Sequence, residues 1–247
     1  MNNRDRWRPS KYIHEKGKLT ASRDPNQAGI GSRLMADLVA ASYDNSLRQH
    51  AKGKLLDLGC GEVPLYVAYK DFITENICVD WGNTLHNNAY LDFECDLTQA
   101  LPFGDGEFNT IILSDVLEHI PRPAYLWDEM SRVLAVHGKI ILNVPFYYWI
   151  HESPHDYYRY TEFALRRFVE DSGLRLIQLD AIGGAPEIMC DIFAKTVLRV
   201  PRIGRPIAMF SQWFTSAFIR TKLGKKISEA TREAFPFGYF LVAAKPE

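Results

Sequence analysis

The sequence predicts an α/β fold with a seven-stranded, mostly parallel sheet, helices on both faces of the sheet and a helical insertion before the last strand. Three observations predict it. The chain of 247 residues is long enough for one large α/β domain. Short apolar runs such as 54–58 and 110–113 are typical of strands buried on both faces, and they alternate with stretches of helical spacing. The apolar run 238–244 predicts a last strand inside the sheet, separated from the previous strand by a long segment.

The individual elements follow from local patterns along the chain. Residues 1–30 are mostly polar, which predicts an irregular arm that folds over the site. Apolar residues at helical spacing predict a helix over 31–50, ahead of the first strand. Strands are expected over 54–58, 77–79, 90–97, 110–113, 139–144, 174–182 and 238–244, and further helices over 64–71, 124–134 and 161–172.

The composition argues against several classes of protein. A net charge of -1 and a pI of about 6.7 argue against binding of nucleic acid through overall charge. The four cysteines, Cys60, Cys78, Cys95 and Cys190, form no C-x-x-C pair, which predicts a reducing, cytoplasmic environment without disulfides or structural zinc. The polar start of the chain predicts no secretory signal, and no window holds the roughly 18 apolar residues of a spanning helix.

The segment between the last two predicted strands is too long for the basic fold. We therefore expect an N-terminal arm (1–30), a main domain (31–185 plus 236–247) and a helical insertion (186–235). Residues 195–226 include eight Lys or Arg and no Asp or Glu, interleaved with large apolar residues. A basic, aromatic-rich segment of this kind is typical of a peripheral contact with a membrane surface. A helical cap over a ligand pocket is the alternative, and the two are compatible.

Residues 54–64, KLLDLGCGEVP, combine a buried strand, a glycine turn and the start of a helix. In α/β proteins, nucleotide-like ligands bind in the crevice at the carboxyl end of such a strand. Gly59 and Gly61 allow the backbone to turn tightly and to approach a ligand. The pattern is not the dinucleotide fingerprint G-x-G-x-x-G, because Pro64 stands where the third glycine belongs. This difference argues against a nicotinamide enzyme.

The end of the second predicted strand carries an acidic and an aromatic residue. Asp80 lies 19 residues after Gly61, close to the spacing of about 20 at which a βα unit presents a ribose-binding acid. Its carboxylate can accept hydrogen bonds from two ribose hydroxyls, and Trp81 can lie against the face of a base. Asp80 and Trp81 together predict a nucleoside-binding site. The alternative is that Asp80 is a loop residue that only caps the next secondary-structure element.

D-x-G-x-G after a strand, here Asp57, Gly59 and Gly61, resembles the first motif of class I S-adenosylmethionine-dependent methyltransferases. The stretch 101–120, LPFGDGEFNTIILSDVLEHI, resembles the type-11 methyltransferase family, with Asn109 where Asp is usual. The resemblance implies that the main domain is a Rossmann-like methyltransferase domain with S-adenosylmethionine as its cofactor. The cofactor-binding residues that it implies, together with the nucleoside pair, are Asp57, Gly59, Cys60, Gly61, Asp80, Trp81, Asp96, Leu97 and Ser114.

In that family the end of the fourth strand faces the methyl group and the acceptor, which places Asp115 and His119 at the reaction. An acceptor hydroxyl or amine needs a base, and His is the side chain that titrates nearest neutral pH, so His119 is the expected base. No metal is expected. A metal site is the alternative, because Asp115-x-x-Glu118-His119 resembles the E-x-x-E-H arrangement of a few metal-dependent methyltransferases, which take a further His from elsewhere.

The stretch 146–161, FYYWIHESPHDYYRYT, follows the fifth predicted strand on the ligand side of the sheet. It resembles the corresponding loop of type-11 relatives that are associated with cell-surface polysaccharide pathways. The expected substrate-binding residues are His151, His155, Tyr158 and Arg159. A rigid plug, in which Asp156 pairs with Arg159, is the alternative.

These features predict transfer of a methyl group from S-adenosylmethionine to an oxygen atom, less favourably to nitrogen, of a small molecule, a sugar or a lipid-linked glycan. The expected partner is therefore a small-molecule or glycan acceptor and not a nucleic acid. The expected location is cytoplasmic, with peripheral membrane contact through 195–226. A non-catalytic, membrane-associated protein that keeps the cofactor fold is the second hypothesis.

Overall fold

A computed structural model of the chain describes residues 1–82 and 89–247. A two-stranded antiparallel hairpin, β1 (Tyr12–Glu15) and β2 (Lys18–Ala21), precedes the main sheet. Among these described residues, the main sheet has seven strands: β3 (Gly53–Leu58), β4 (Ile73–Asp80), β5 (Phe93–Glu94), β6 (Phe108–Ser114), β7 (Leu134–Pro145), β8 (Arg175–Ile182) and β9 (Gly238–Ala244). Their order is β5-β4-β3-β6-β7-β9-β8, and only β9 runs antiparallel to its neighbours.

In the described part of the chain, seven α-helices accompany the strands: α1 (Arg33–His50), α2 (Tyr66–Tyr69), α3 (Pro123–Val133), α4 (Glu162–Asp171), α5 (Ala185–Val197), α6 (Gly204–Phe218) and α7 (Lys222–Thr231). Short 3-10 turns lie at Arg4–Arg6, Ile30–Ser32 and Leu117–His119. The last three helices occupy the segment between β8 and β9, where the sequence predicts a helical insertion. No helix in the described part of the chain is long and apolar enough to cross a membrane.

Side chains of a strand alternate between the two faces of the sheet, so apolar side chains on each face pack against their own layer of helices. In β3, Leu56 and Leu58 belong to a core cluster that includes Trp127 of α3. Leu55 faces the opposite way, into a second core cluster with Tyr43 of α1. The predicted fold class, a mostly parallel seven-stranded sheet between two layers of helices, is confirmed.

The third strand of the sheet is much shorter than predicted. The sequence suggests 90–97, whereas only Phe93–Glu94 pairs with β4. Beyond it, Asp96 turns the chain: its side chain accepts a hydrogen bond from the N–H of Thr98, 2.9 Å away, and its carbonyl accepts one from Gln99. Such a local side-chain bond competes with the sheet ladder and ends the strand.

The fifth predicted strand is longer than expected and starts earlier. The helix α3 ends at Val133, within one residue of its predicted end, and β7 begins directly afterwards, at Leu134. His137 takes a left-handed conformation with φ of 62° inside the strand. The pairing of β7 with β6 shifts register in this region, between Phe108 and Thr110.

The N-terminal arm is not irregular throughout, as the sequence suggests. Lys16 and Gly17, with φ of 52° and 77°, form the two-residue turn between β1 and β2. Positive φ at both positions is the geometry that matches the twist of paired strands. Tyr12, Leu19 and Ala21 are buried, so the hairpin is fixed by apolar contacts to the domain.

Candidate active site

A cavity of about 1050 Å³ lies at the carboxyl ends of the parallel strands. The predicted site residues that line it are Gly59, Cys60, Gly61, Asp80, Trp81, Asp96, Leu97, Ser114, Asp115, His119, His151 and His155. Three others, Asp57, Tyr158 and Arg159, are not among its lining residues. The structure therefore brings most of the predicted cofactor, reaction and substrate positions to one cavity.

The glycine turn folds back over the neighbouring strand. The N–H groups of Gly59 and Cys60 both donate to the carbonyl of Val79, at 2.9 and 3.1 Å. Gly59 has φ of 68°, and a Cβ atom there would lie 2.5 Å from Cγ2 of Val116. Only glycine fits this position without moving the segment after β6.

Asp80 connects the end of β4 to this turn. One carboxylate oxygen accepts a hydrogen bond from the N–H of Gly61 at 2.7 Å, and the other accepts from the N–H of Trp81, also at 2.7 Å. Charge-assisted bonds of this kind are among the stronger ones in proteins. The carboxylate is therefore held at the cavity wall in a defined orientation.

Asp57 lies beneath the turn rather than in the cavity. Its side chain is 4% exposed, and one of its oxygens accepts a hydrogen bond from the hydroxyl of Tyr69 at 3.0 Å. Burial raises the pKa of Asp57 to about 7, although the bond from Tyr69 lowers it, and the charge of Asp80 raises it further. Asp57 therefore lies in a supporting position below the turn, because residue 57 has the strand parity of Leu55 and faces the α1 side of the sheet.

Asp115 is the centre of a polar network at the end of β6. It has φ of 53°, an uncommon conformation outside glycine that Asp tolerates better than most residues. Its carboxylate lies 2.9 Å from the ammonium of Lys11 and accepts a hydrogen bond from the amide of Asn143. The amide oxygen of Asn143 accepts in turn from the hydroxyls of Tyr43 and Ser114, at 2.8 and 2.9 Å.

Three members of this network, Lys11, Tyr43 and Asn143, were missed by the sequence reasoning. Asn143 had a signal, since it is the one polar residue in the apolar run 140–145. Lys11 had none, because it lies in the N-terminal arm and reaches the site only through the fold.

Glu118, His119 and His151 form a second cluster, on the acceptor side of the cavity. Glu118 is fully buried, and burial, followed by the charge of Asp115, raises the pKa of its carboxyl well above the usual range. Nε2 of His119 lies 3.7 Å from a carboxylate oxygen of Glu118, and Nε2 of His151 lies 3.9 Å from the same oxygen. Burial lowers the pKa of His151, and the neighbouring His119 lowers it further.

The loop 146–161 closes over the cavity through its histidines. The carbonyl of His155 lies 2.8 Å from Nδ1 of His119, and the ring of His155 packs edge-on against Trp81 with 5.1 Å between centroids. Through His155, the loop therefore contacts both His119, the expected base, and Trp81, the residue expected to lie against the base of the nucleoside.

Arg159 and Tyr158 hold this loop from outside the cavity. The guanidinium of Arg159 forms an ion pair with Asp156 at 2.5 Å and donates to the carbonyl of Trp149 at 3.0 Å. The hydroxyl of Tyr158 donates to the carbonyl of Pro121. The polar groups of both residues are thus engaged in fixing the loop, and the pair of Asp156 with Arg159 is the contact expected for a rigid plug.

The cavity wall fits a nucleoside cofactor. Asp80 offers hydrogen-bond acceptors for ribose, the half-exposed indole of Trp81 offers a flat apolar surface, and Leu97 is an apolar wall residue beside Asp96. These groups come from the ends of neighbouring strands, the position at which open α/β sheets bind ligands.

Comparison with known proteins gives one family and a set of similar folds. Residues 56–142 match the family model described as a methyltransferase domain, about a third of the chain. No curated protein matches the chain in sequence. The resemblance predicted from the D-x-G-x-G motif and the stretch 101–120 is confirmed.

Three solved structures illustrate the shared fold. The [4+2]-cyclase SpnF has a TM-score of 0.57 at 16% identity, with 96% of this chain and 88% of that chain covered. A chain of the Haloferax volcanii complex that contains the Trm112 methyltransferase activator has a TM-score of 0.56 at 18% identity, with 83% and 89% covered. An S-adenosylmethionine-dependent methyltransferase from Mesorhizobium loti has a TM-score of 0.52 at 14% identity, with 84% and 100% covered.

Proposed function

Because this chain is an S-adenosylmethionine-dependent methyltransferase with the class I fold, we propose that it methylates an oxygen atom of a small molecule, a sugar or a lipid-linked glycan. The bound cofactor supplies a methyl group on a sulfonium, which is already activated for displacement. The chain's own residues then have two tasks, which are to orient the two reactants and to accept the proton of the acceptor.

We assign the cofactor side of the cavity to the ends of β3, β4 and β6. The turn of Gly59, Cys60 and Gly61 lies against the amino-acid half of the cofactor, and Ser114 lies beside it. Asp80 and Trp81 contact the ribose and the base, and Asp96 with Leu97 contacts the outer edge of the base. Support comes from the cavity lining and from the bonds that fix Asp80 to the turn.

The observation that carries the acceptor chemistry is the orientation of His119. A carbonyl oxygen can only accept, so Nδ1 of His119 donates its proton to the carbonyl of His155. Nε2 of the neutral ring then carries a lone pair, and the ring lies at the cavity wall. We assign this lone pair to the proton of the acceptor hydroxyl, and we assign Asp115, held by Lys11 and Asn143, to positioning the acceptor.

A ring-shaped or glycosidic acceptor is favoured by the shape and lining of the cavity. Its volume of about 1050 Å³ is at the upper end of the range of ligand pockets, which leaves room for an acceptor beside a cofactor. Aromatic side chains of the loop, Tyr148 and Tyr157, are among the lining residues. Aromatic faces of this kind stack on sugars and rings.

A lipid-linked acceptor is favoured by the outer surface of the insertion 186–235. The buried residues of α6 are Gly204, Ala208 and Gln212, and Gln212 is hydrogen-bonded to Gly31 and Leu34. The helix therefore packs through its small and polar side and presents aromatic residues outward, with Trp213 66% and Phe210 62% exposed. Exposed lysines and arginines lie before, within and after α6 in the segment 195–226, which fits an anionic membrane surface.

Release of S-adenosylhomocysteine during incubation with acceptors tests the proposal. Purified protein is mixed with S-adenosylmethionine and with free sugars, phenols, or extracted polyprenyl-linked glycans, and methylated products are identified by mass spectrometry. We expect an O-methylated product, and we expect His119→Ala to lower turnover while cofactor affinity changes little. Cofactor binding without turnover on any hydroxyl acceptor, together with vesicle binding that Asp80→Ala leaves intact, would favour the non-catalytic hypothesis instead.

A further inference from the structure

Glu118 is a buried carboxylate without a hydrogen-bond partner. It has 0% exposure, and neither of its carboxylate oxygens has a partner among residues 1–82 and 89–247. A buried carboxylate in this condition costs free energy unless a cation or a proton neutralises it. Since Glu118 is also a lining residue of the cavity, a cation can reach it from there.

Two imidazole nitrogens lie next to this carboxylate. Nε2 of His119 and Nε2 of His151 are 3.7 and 3.9 Å from the same oxygen of Glu118, and one ligand atom from each of the three residues lies within 4.8 Å of the others. A tetrahedral ion with bonds of about 2.0–2.1 Å holds its donor atoms roughly 3.3 Å apart. The two carboxylate–imidazole distances exceed this spacing by about 0.4 and 0.6 Å, and the longest separation in the cluster, up to 4.8 Å, exceeds it by about 1.5 Å, so binding also brings the two imidazoles closer together.

The opposite nitrogen of each imidazole is held in the way that metal-bound histidines require. Nδ1 of His119 lies 2.8 Å from the carbonyl of His155. Nδ1 of His151 lies 3.3 Å from both a carboxylate oxygen of Asp156 and the carbonyl of Trp149. A carbonyl or carboxylate partner at Nδ1 places the lone pair on Nε2 and fixes the plane of the ring, as in outer shells of known metal sites.

We propose that Glu118, His119 and His151 bind one divalent transition-metal ion of the Zn²⁺ class. Two imidazoles and one carboxylate suit such an ion better than Mg²⁺, which prefers oxygen ligands. Three protein ligands leave at least one coordination position open, and it faces the cavity because all three residues line it. Asp115 is not a ligand, since its carboxylate is engaged by Lys11 and Asn143.

In the metal-bound protein the ion takes the lone pair of Nε2 of His119, and the acceptor oxygen binds at the open position. A hydroxyl bound to such an ion would release its proton to water more readily, and its oxygen would then take the methyl group from the sulfonium, with S-adenosylhomocysteine as the leaving group. The ion would thus replace His119 in activating the acceptor. This use of the ion rests on the proposed function, whereas binding of the ion does not.

Titration of the full-length, chelator-treated protein with Co²⁺ tests the site, because Co²⁺ bound to nitrogen and oxygen ligands absorbs visible light. We expect one equivalent to bind, and Zn²⁺ to displace it. Glu118→Gln and His151→Ala should each weaken Co²⁺ binding by at least about tenfold. Loss of a residue that only holds a metal ligand in place already costs about that much, and loss of the ligand itself should cost no less. His137→Ala, which removes an exposed histidine, is the matched control and should bind Co²⁺ like the unmodified protein.

The melting temperature and the cofactor affinity of each variant show whether it is folded. Glu118→Gln takes away no hydrogen bond, so its fold should be kept. Absence of saturable Co²⁺ binding, or equal affinity in the unmodified protein and both ligand variants, overturns the site. If metal-free protein that binds no Co²⁺ still transfers methyl groups, the metal site is overturned and the proposed function stands. If Co²⁺ binds but no acceptor is methylated, the metal site is supported and the proposed function is contradicted.

Discussion

The ammonium of Lys11 lies 2.9 Å from the carboxylate of Asp115, and this pair connects the N-terminal arm to the end of β6. Loss of hydration is the largest single effect and lowers the pKa of Lys11, but the charges of Asp115 and Tyr12 and the hydrogen bond to Asp115 together outweigh it and leave the pKa well above its ordinary value. Lys11 is therefore a permanent cation at the cavity wall. The arm contributes a charged group to the site in addition to covering it.

Lys11→Met should lower turnover by about tenfold, the effect of losing roughly 1.4 kcal/mol of positioning at Asp115. The variant keeps an apolar chain of similar length but removes the charge. Both partners are partly exposed, so the free energy of unfolding should fall by no more than about 1 kcal/mol. Turnover and thermal melting check this, with Lys18→Met on the same hairpin as the control; equal turnover in the two variants contradicts the role of Lys11.

The parts of the fold that the sequence predicts correctly are those with strong local patterns. The run 54–58 followed by Gly59 and Gly61 defines β3 and its turn, since apolar side chains and glycine have few alternatives there. The segment 238–244 is apolar throughout and becomes β9 with the predicted bounds. The helix predicted over 161–172 is found as α4, and the side chain of Thr161 accepts a hydrogen bond from the N–H of Ala164 at its start.

The parts that the sequence did not predict depend on contacts between distant segments. Lys11 and Asp115 are 104 residues apart, and no local pattern connects them. Likewise, His151 joins Glu118 only because the loop after β7 folds back over the 3-10 turn that follows β6. The position of Asp57 was predictable in principle, because strand alternation places it on the same face as Leu55.

The buried carboxyl of Asp57 should make stability depend on pH. Its pKa is raised from 3.8 to about 7, so the folded protein keeps a proton that the unfolded chain has released. The bound proton contributes fully to the free energy of unfolding below pH 3.8, and this contribution is lost as the pH rises to 7. At roughly 1.4 kcal/mol for each pH unit, the total loss is up to about 4 kcal/mol. Asp57→Asn should remove this dependence and be more stable than the unmodified protein above pH 7.

Denaturant unfolding of both proteins between pH 4 and 8 measures the difference. Asp71→Asn, at an exposed position near α2, is the control and should follow the unmodified protein. Cofactor affinity should change little in Asp57→Asn, because Asp57 does not line the cavity. A constant difference in stability across this range would show that Asp57 is ionised in the folded protein throughout.

Asp80→Ala should weaken cofactor binding by about tenfold to a hundredfold, the range for loss of a charge-assisted hydrogen bond. The substitution removes the proposed ribose acceptor and also leaves the N–H of Gly61 without its partner of 2.7 Å. Isothermal titration calorimetry with S-adenosylhomocysteine measures the affinity. Asp128→Ala, on the exposed side of α3, should bind like the unmodified protein; an unchanged affinity in Asp80→Ala would remove the residue from the cofactor site.

The outward aromatic residues of α6 should determine binding to anionic membranes. Phe210→Ser combined with Trp213→Ser removes two of the most exposed apolar side chains of the helix, and the melting temperature should stay the same because neither is buried. Co-sedimentation of the double variant with phosphatidylserine vesicles should fall by at least tenfold. Binding of the unmodified protein should weaken as the salt concentration rises, because about 1 kcal/mol of electrostatic attraction is expected for each lysine or arginine near the membrane surface. Phe163→Ser removes an equally exposed aromatic residue from α4, away from the basic segment, and should bind vesicles normally. If the double variant also binds normally, the aromatic side of α6 faces another occupant, and the case for a lipid-linked acceptor loses its structural support.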